Sequence, residues 1–506
     1  MDRVVLNKRE PEEGSKGELE INILVVCNSK HHSVNLINLA ENLFNLSSSV
    51  SVVAICEPQD MEYYYQVVNK DKTRLLSIDY AKEIINESLI NKQTHNFEGT
   101  TKPSLKNKYV EKIFGLALHL NNVLSGKIGA SNFILRALRE TSLICYLREK
   151  KAKAFYIKRK EMLDRIFDEI KPTVVFSFGD RHIDIEVPVL LAARSRKIKV
   201  VLPYATSSGS HGLLKVRQIQ GEPKRWWPVS LYRIYAAIRL KNQILEGYFY
   251  QHPSVLFALS ALDALSTNPW CIGSGLSNVV CVDNQCTFER YKSEGVPEEK
   301  LSIVGDVAYD TLFENYQSRN HLRKEIVEEY FLMSDKKIIV IALPQFAEQG
   351  LLDWDEHWVE INYLVEQITH TNLNIVISLH PRVNSSDYSF LEEKYSVHIS
   401  QKPLNQLLPI ADVFVAVNSS TVFWATLCGI PVVMMNFYGL DATLFEHLNN
   451  IRYVDERAEL FDTLEDTVSE VKFEFEEDWH NLSRELVFDG KVTQRYLGIV
   501  TEASVN

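Results

Sequence analysis

Short runs of consecutive apolar residues, each ending in a cluster of small or polar ones, recur along this chain. Residues 21–27 (INILVVC), 51–56 (SVVAIC), 173–178 (TVVFSF) and 199–203 (KVVLP) form a first series. Runs without polar alternation predict strands buried on both faces of a parallel sheet. Helical spacing fills the gaps at 34–46, 158–170 and 186–196, the second of these stopped by Lys171-Pro172. A strand–loop–helix–strand order of this kind predicts a doubly wound domain. A second series begins near 279–282 and continues through 301–304, 337–343, 373–379, 412–417 and 432–436. Just upstream, Asn268-Pro269-Trp270 and Gly273-Ser274-Gly275 read as an interdomain linker. The expectation is an α/β protein of two doubly wound domains facing a central cleft. Residues 1–18 form a disordered lead-in, 19–267 the N-terminal domain, 268–485 the C-terminal domain, and 486–506 a helix packing back. The stretch 60–160 is mostly helical in period and says little about chemistry.

Where the runs stop matters more than the runs. Residues 375–379 end in His380-Pro381-Arg382, and 412–417 stop at Asn418-Ser419-Ser420-Thr421 before a helix-like segment through Cys428. In an open α/β sheet, ligands sit outside the carboxyl ends of the strands. Hydroxyl residues there cap the helix, whose free N–H groups attract an anion. Two such ends describe a pocket for a phosphorylated ligand, with His380 acting on the phosphate. Gln345 and Glu348, following 337–343, are candidates for the base or ribose. In the first series, 173–178 leads into Gly179-Asp180-Arg181-His182. Asp180, Arg181, His182 and Glu186 gather titratable groups at that strand end, and His31 lies beyond the end of the first strand.

Composition narrows the classes. At 506 residues one hydrophobic core is too few, and 45% hydrophobic with 24% charged residues is ordinary for a globular protein. The net charge of −11 gives no general drive toward nucleic acid, so none is expected as a partner. Seven cysteines without a CxxC pair read as buried free thiols in a reducing compartment. The first twenty residues are charged and polar rather than a signal peptide, and no run of about 20 apolar residues follows, so a cytoplasmic protein is expected. No P-loop or GxGxxG motif and no metal-ligand spacing is present, so neither cofactor nor metal is expected. Lys224, Arg225, Trp226 and Trp227, followed by Tyr232, Arg233, Tyr235, Arg239 and Lys241, interleave cations with aromatics. The segment reads either as a surface helix burying its rings or as a patch at the inner face of a membrane.

The run 281–312 carries Gly295-Val296-Pro297, Lys300, Val304-Gly305 and Asp310 in an order that resembles glycosyltransferases of the GT-B fold, two Rossmann-like domains about a cleft. His380-Pro381 followed by Ser419-Ser420-Thr421 resembles the paired motifs of bacterial sialyltransferases, polysialyltransferases and capsule-type transferases of 3-deoxy sugar acids. Asp489-Gly490-Lys491 before a terminal helix is similar to the same group. The likeness covers roughly residues 268–496, under half the chain. It implies a metal-independent, inverting transfer from a CMP-linked sialic-type or 3-deoxy sugar acid to a glycan or glycolipid acceptor. Gln345, Glu348, His380, Pro381, Arg382, Ser419, Ser420 and Thr421 would hold the donor, Asp180 would be the general base an inverting transfer needs, and His31, Arg181, His182 and Glu186 would be candidates on the acceptor side. Within 19–267 the acidic Asp/Glu-Asp/Glu-Gly triplet of those sialyltransferases is absent. UDP-N-acetylglucosamine 2-epimerases share the fold, but their His-Arg-x-Glu-Asn segment is replaced here by Leu343-Pro344-Gln345-Phe346-Ala347-Glu348. A transferase for UDP- or GDP-sugars, a nucleotide-sugar 2-epimerase and a catalytically silent nucleotide-sugar-binding or scaffold protein are the alternatives.

Overall fold

The computed structural model of the chain describes residues 20–28, 30–80, 141–181, 185–204, 230–348, 350–380, 383–417, 419–438, 448–469 and 487–505, with 210, 213, 214, 218 and 445. The expected lead-in and the basic residues Lys224 and Arg225 with Trp226 and Trp227 lie outside them.

Fifteen strands are present among these residues: β1 Ile21–Cys27, β2 Val50–Cys56, β3 Thr73–Ser77, β4 Val174–Phe176, β5 Lys199–Leu202, β6 Ile244–Leu245, β7 Tyr248–Phe249, β8 Val279–Val282, β9 Leu301–Ile303, β10 Ile338–Ala342, β11 Asn374–Ser378, β12 His398–Ser400, β13 Val413–Ala416, β14 Val432–Met435 and β15 Ile451–Val454. Seven build a first sheet in the order β3-β2-β1-β4-β5-β8-β9, and six a second in the order β12-β11-β10-β13-β14-β15. Every ladder in both sheets is parallel; only the β6–β7 hairpin is antiparallel. Two doubly wound sheets facing one cleft make this a GT-B-like α/β protein.

The apolar runs are explained by what lies on each face. Ile23 and Val25 of β1 pack with the helix Lys30–Leu46, whereas Leu24 and Val26 meet Leu163, Phe167 and Val189 on the other side. Period-two alternation thus delivers apolar side chains to two separate cores, so no position of the strand is free to be polar. The second sheet repeats this, with Val340 and Phe414 on one face and Ile339, Ile341 and Val415 on the other. One core is continuous from Ile23 through Leu312 and Val492 to Val340, which ties the two domains together.

The boundary differs from the one expected. Strands β8 and β9 pair with β5 and with each other, so residues 279–303 finish the first sheet rather than start the second domain. The Pro/Gly-rich stretch 268–275 is a loop within the first domain. The helix Ser142–Ile170 also starts sixteen residues before the expected 158 and ends at Lys171 in a left-handed turn (φ 50°), beyond which Pro172 cannot continue it.

The helix Val492–Val505 returns to the first domain. Val492, Tyr496 and Val500 are fully buried. The Tyr496 hydroxyl accepts from Tyr204 N at 3.0 Å, and Ser504 Oγ meets Thr173 Oγ1 at 3.1 Å. Its first turn is held by Asp310, which accepts from Val492 N (2.8 Å), Thr493 N (2.7 Å) and Thr493 Oγ1 (2.7 Å). A carboxylate in this place satisfies otherwise orphaned N–H groups and opposes the helix dipole.

Candidate functional site

In the second sheet the strand order reverses between β10 and β13, and a crevice opens at their carboxyl ends. A cleft of about 990 Å3 lies there, lined on one wall by Gln345 after β10, His380 after β11, and Ser419, Ser420 and Thr421 after β13. These residues are separated by up to 76 positions in sequence and are collected by the parallel register of three neighbouring strands. The opposite wall is the helix Lys30–Leu46, which presents Asn35, Asn38 and Asn42. Their i, i+3, i+7 spacing keeps three amides on one helical face. The segment Asp306, Val307, Ala308 forms part of the same lining, where the first domain passes into the second. The volume is at the upper end of the range that holds drug-sized ligands, about 300–1,000 Å3.

Local bonding explains how the second-domain wall is set. Ser419 Oγ lies 2.8 Å from Thr421 Oγ1 and accepts from Thr421 N at 3.4 Å, a hydroxyl turn that starts the helix Thr421–Leu427. Gly429 ends that helix in a left-handed turn (φ 69°), and Pro431 leads into β14. Beyond β11, Val383 N donates to His380 O at 2.9 Å. Leu343 N donates to Ser378 O at 3.3 Å, so the loop bearing Gln345 is fastened to the strand bearing His380.

The structure separates the remaining sequence candidates from this cleft. Asp180 is 2% exposed and is not part of the lining. Its Oδ1 accepts from Gly273 N (3.0 Å), and its Oδ2 accepts from Gly275 N (2.8 Å) and Ser277 Oγ (2.7 Å). Both oxygens are thus committed to the 273–277 loop, and an acceptor hydroxyl has no route to them. The expectation that Asp180 is the general base is corrected to a loop clamp. Arg181 is buried with it and donates to Pro269 O at 2.9 Å. Glu186 is fully buried and accepts from Asn28 Nδ2. Neither lines the cleft.

Glu348 is exposed and likewise outside the lining; it accepts from Tyr388 Oη at 3.0 Å. That hydroxyl also lies 2.9 Å from Nε2 of His357, whose burial pushes its pKa down. With Tyr388 donating to Glu348, neutral His357 donates to Tyr388. The chain braces the 346–351 loop from behind, which makes Glu348 a support for Gln345 rather than a ligand. Pro381, Arg382, His182 and the His31 side chain fall outside the described residues.

Three parts of the lining escaped the sequence reading. The amide face of Lys30–Leu46 was visible as a spacing but carried no motif. Ser400 ends β12, a three-residue edge strand too short to show as an apolar run, and Gln401 and Lys402 follow it. Asp306 lies between Val304-Gly305 and Asp310, a stretch whose order drew notice without singling that residue out. Among the described residues no group of three His, Cys, Asp or Glu side chains is arranged to hold a metal ion, and no helix is long and apolar enough to cross a membrane.

No family model matches the chain, and no curated protein matches it. Solved structures similar over nearly its whole length include UDP-GlcNAc 2-epimerase from Neisseria meningitidis bound to UDP-GlcNAc, 12% identical, covering 96% of this chain and 100% of that one, with a TM-score of 0.48. The glycosyltransferase of kitacinnamycin is 13% identical and covers 95% and 98%, with a TM-score of 0.47. A glycosyltransferase from Rickettsia africae is 11% identical and covers 96% and 99%, with a TM-score of 0.46. Likeness of this degree says nothing about chemistry, and the GT-B-like arrangement is read from the strand order and the shared cleft.

Proposed function

We propose that the chain is a glycosyltransferase that moves a sugar from a nucleotide-activated donor held by the second domain to an acceptor held by the first. The observation that carries this is the meeting of Gln345, His380 and Ser419–Thr421 at the reversal point of the second sheet, across from an amide-rich helix. Breaking the bond between an anomeric carbon and a phosphate oxygen leaves negative charge on that oxygen. Hydrogen-bond donors fixed in advance at that position lower the barrier, because they need no reorganisation when the charge develops. His380 is the donor best suited to the leaving phosphate, with the hydroxyls of Ser419, Ser420 and Thr421 beside it. Asn35, Asn38 and Asn42 suit an acceptor with several hydroxyls, since an amide both donates and accepts.

The finer reading is a CMP-linked sialic-type or 3-deoxy acid donor, transferred with inversion to a glycan or glycolipid. Support for it is the order of the His-Pro and Ser-Ser-Thr motifs and, two positions after His380 in the sequence, the cation of Arg382, which suits a donor bearing both phosphate and carboxylate. A lipid-linked acceptor is supported by the helix Leu231–Arg239. It turns Leu231 (80% exposed), Tyr235 and Ile238 outward, with Arg239 and Lys241 exposed at its end.

The test is incubation with CMP-, UDP- and GDP-linked sugars, scoring release of each nucleotide with and without glycan acceptors, alongside thermal shifts with CMP, UDP and GDP. Release of CMP, with CMP stabilising the fold most, is the expected result. UDP ranking first would make the donor a neutral UDP-sugar, and stabilisation by no nucleotide would defeat the donor-site reading.

A further inference from the structure

With Asp180 held in a clamp, the proposed transfer needs another group to take the acceptor's proton. Among the described residues two carboxylates line the cleft, Glu41 and Asp306. Glu41 is spent on structure: its Oε1 accepts from Asn69 N at 2.9 Å and from Thr73 Oγ1 at 2.6 Å, which pins β3 to the helix Lys30–Leu46. Asp306 is placed differently. It follows β9, and Gly305 turns the chain there with φ 104°. A Cβ at Gly305 would come within 2.6 Å of Val492 Cγ2, so glycine is what lets this corner sit against the returning helix. One carboxylate oxygen, Oδ1, accepts from Ala308 N at 2.8 Å, which fixes the side chain's orientation. The other, Oδ2, has no hydrogen-bond partner among the described residues, and the residue lines the cleft at the passage between the two domains.

We infer that Asp306 is the general base of the transfer, an assignment that rests on the transferase reading. Its ionised carboxylate takes the proton of the acceptor hydroxyl. The hydroxyl oxygen's electron pair then forms the new bond to the anomeric carbon. The bond from that carbon to the phosphate oxygen breaks, and its pair leaves with the nucleotide. The proton stays on Asp306 and passes to water once the product departs.

The environment suits the role. Burial pushes the Asp306 carboxyl up to about 7, against the lowering effect of the Ala308 N–H, and buried Asp283 at the end of β8 adds to the rise. A base with a pKa near the working pH combines adequate strength with a useful ionised fraction. Beneath it, Tyr204, Tyr309 and Tyr496 are pushed well up by burial and stay neutral. Among the described residues the ionisable neighbours on the cleft walls are Glu41, Lys72, His380 and Lys402, of which Lys402 pairs with Glu329 at 2.9 Å.

The experiment compares the wild type, Asp306→Asn and Asp306→Glu. The probe is whichever CMP-, UDP- or GDP-linked sugar the wild type cleaves, with water as the acceptor; nucleotide affinity is measured by calorimetry. The expected result is a loss of at least about 100-fold in donor cleavage for Asp306→Asn, within the span usual for general-base removal, with nucleotide affinity held within about twofold. The wild type's acidic rate limb near neutrality should vanish in Asp306→Asn, and Asp306→Glu should restore part of the rate. An Asn variant within about fivefold of wild type, or with an unchanged pH limb, overturns the inference. Loss of nucleotide binding together with turnover overturns it too, by making Asp306 a structural residue. A wild type that binds nucleotide but cleaves no donor, either with water or with the glycan acceptors, instead defeats the transferase reading itself, and the base assignment with it.

Discussion

Replacing Asp180 by alanine separates a clamp from a catalyst. The alanine variant leaves Gly273 N, Gly275 N and the Ser277 hydroxyl without their acceptor in a site where Asp180 was 2% exposed. Each buried donor left unpaired costs about 1–3 kcal/mol, so three of them cost roughly 3–6 kcal/mol after partial relaxation. At about 2 °C per kcal/mol for a large domain, the melting temperature should fall by roughly 6–12 °C. Ser277→Ala removes one of the bonds and should cost about 1 kcal/mol. Gly275→Ala is the steric counterpart, because its Cβ would lie 2.3 Å from Asp180 O and the loop would have to shift. Scanning fluorimetry gives the melting temperatures, and CMP- and UDP-induced shifts report on the cleft. The surviving folded fraction of Asp180→Ala should still respond to nucleotide, since the clamp lies outside the lining. An Asp180→Ala protein that melts within about 2 °C of wild type yet loses donor cleavage by about 100-fold would refute this reasoning and return Asp180 to the base role.

Replacing His380 by alanine should reduce both transfer and slow donor hydrolysis by about 10²–10³, because both need the phosphate to leave; rates within about fivefold of wild type would remove His380 from the leaving phosphate. Asp306 holds its proton in the fold up to about pH 7, whereas the unfolded chain loses it near the ordinary value of 3.8. Its contribution to stability is therefore full below the ordinary carboxylate range and is lost as pH rises through 7, so Asp306→Asn should raise the melting temperature more at alkaline than at acidic pH; a gain that does not vary with pH would contradict the raised pKa. Of the seven cysteines only Cys286 is exposed, so a thiol reagent should titrate one group in the native protein and seven after denaturation. The outward face of the helix Leu231–Arg239 should bring the protein down with anionic liposomes at low salt and release it at high salt; no sedimentation at low ionic strength would count against a membrane-borne acceptor.

Interior strands were legible because burial on both faces leaves no polar option. Strands β1, β2, β10, β11, β13 and β14 all appear as apolar runs for that reason. Three of the four outer strands escaped notice because one edge and part of a face meet water: β3 carries Arg74, β12 is only His398–Ser400, and β15 includes Arg452 and Tyr453, whereas the fourth, β9, shows as the run 301–304. The domain boundary was misread because a Pro/Gly-rich stretch looks the same whether it links domains or forms a loop clamped within one. The partners of Asp180 lie more than 90 residues further along the chain, and only the fold reveals them. His380 and Ser419–Thr421 were readable because strand ends at a reversal point are where a parallel sheet places ligands. The same rule, applied to the end of β4, cannot tell a ligand-facing acid from one that fastens a loop.

The helix Val492–Val505 has a consequence for the order of events during synthesis. The first domain is interrupted: its sheet is complete once β9 has been made, yet Val492, Tyr496 and Val500 supply part of the core behind it. Between them lies the whole second sheet, whose six strands are contiguous in the chain. At about 5–20 residues per second, the roughly 200 residues from β9 to the end of that helix take about 10–40 s to emerge. Throughout that interval the amino-terminal half presents an unfinished apolar surface, while the domain made later can close first. Completion therefore runs against the direction of translation, and the nascent amino-terminal half is the part that calls for chaperone protection.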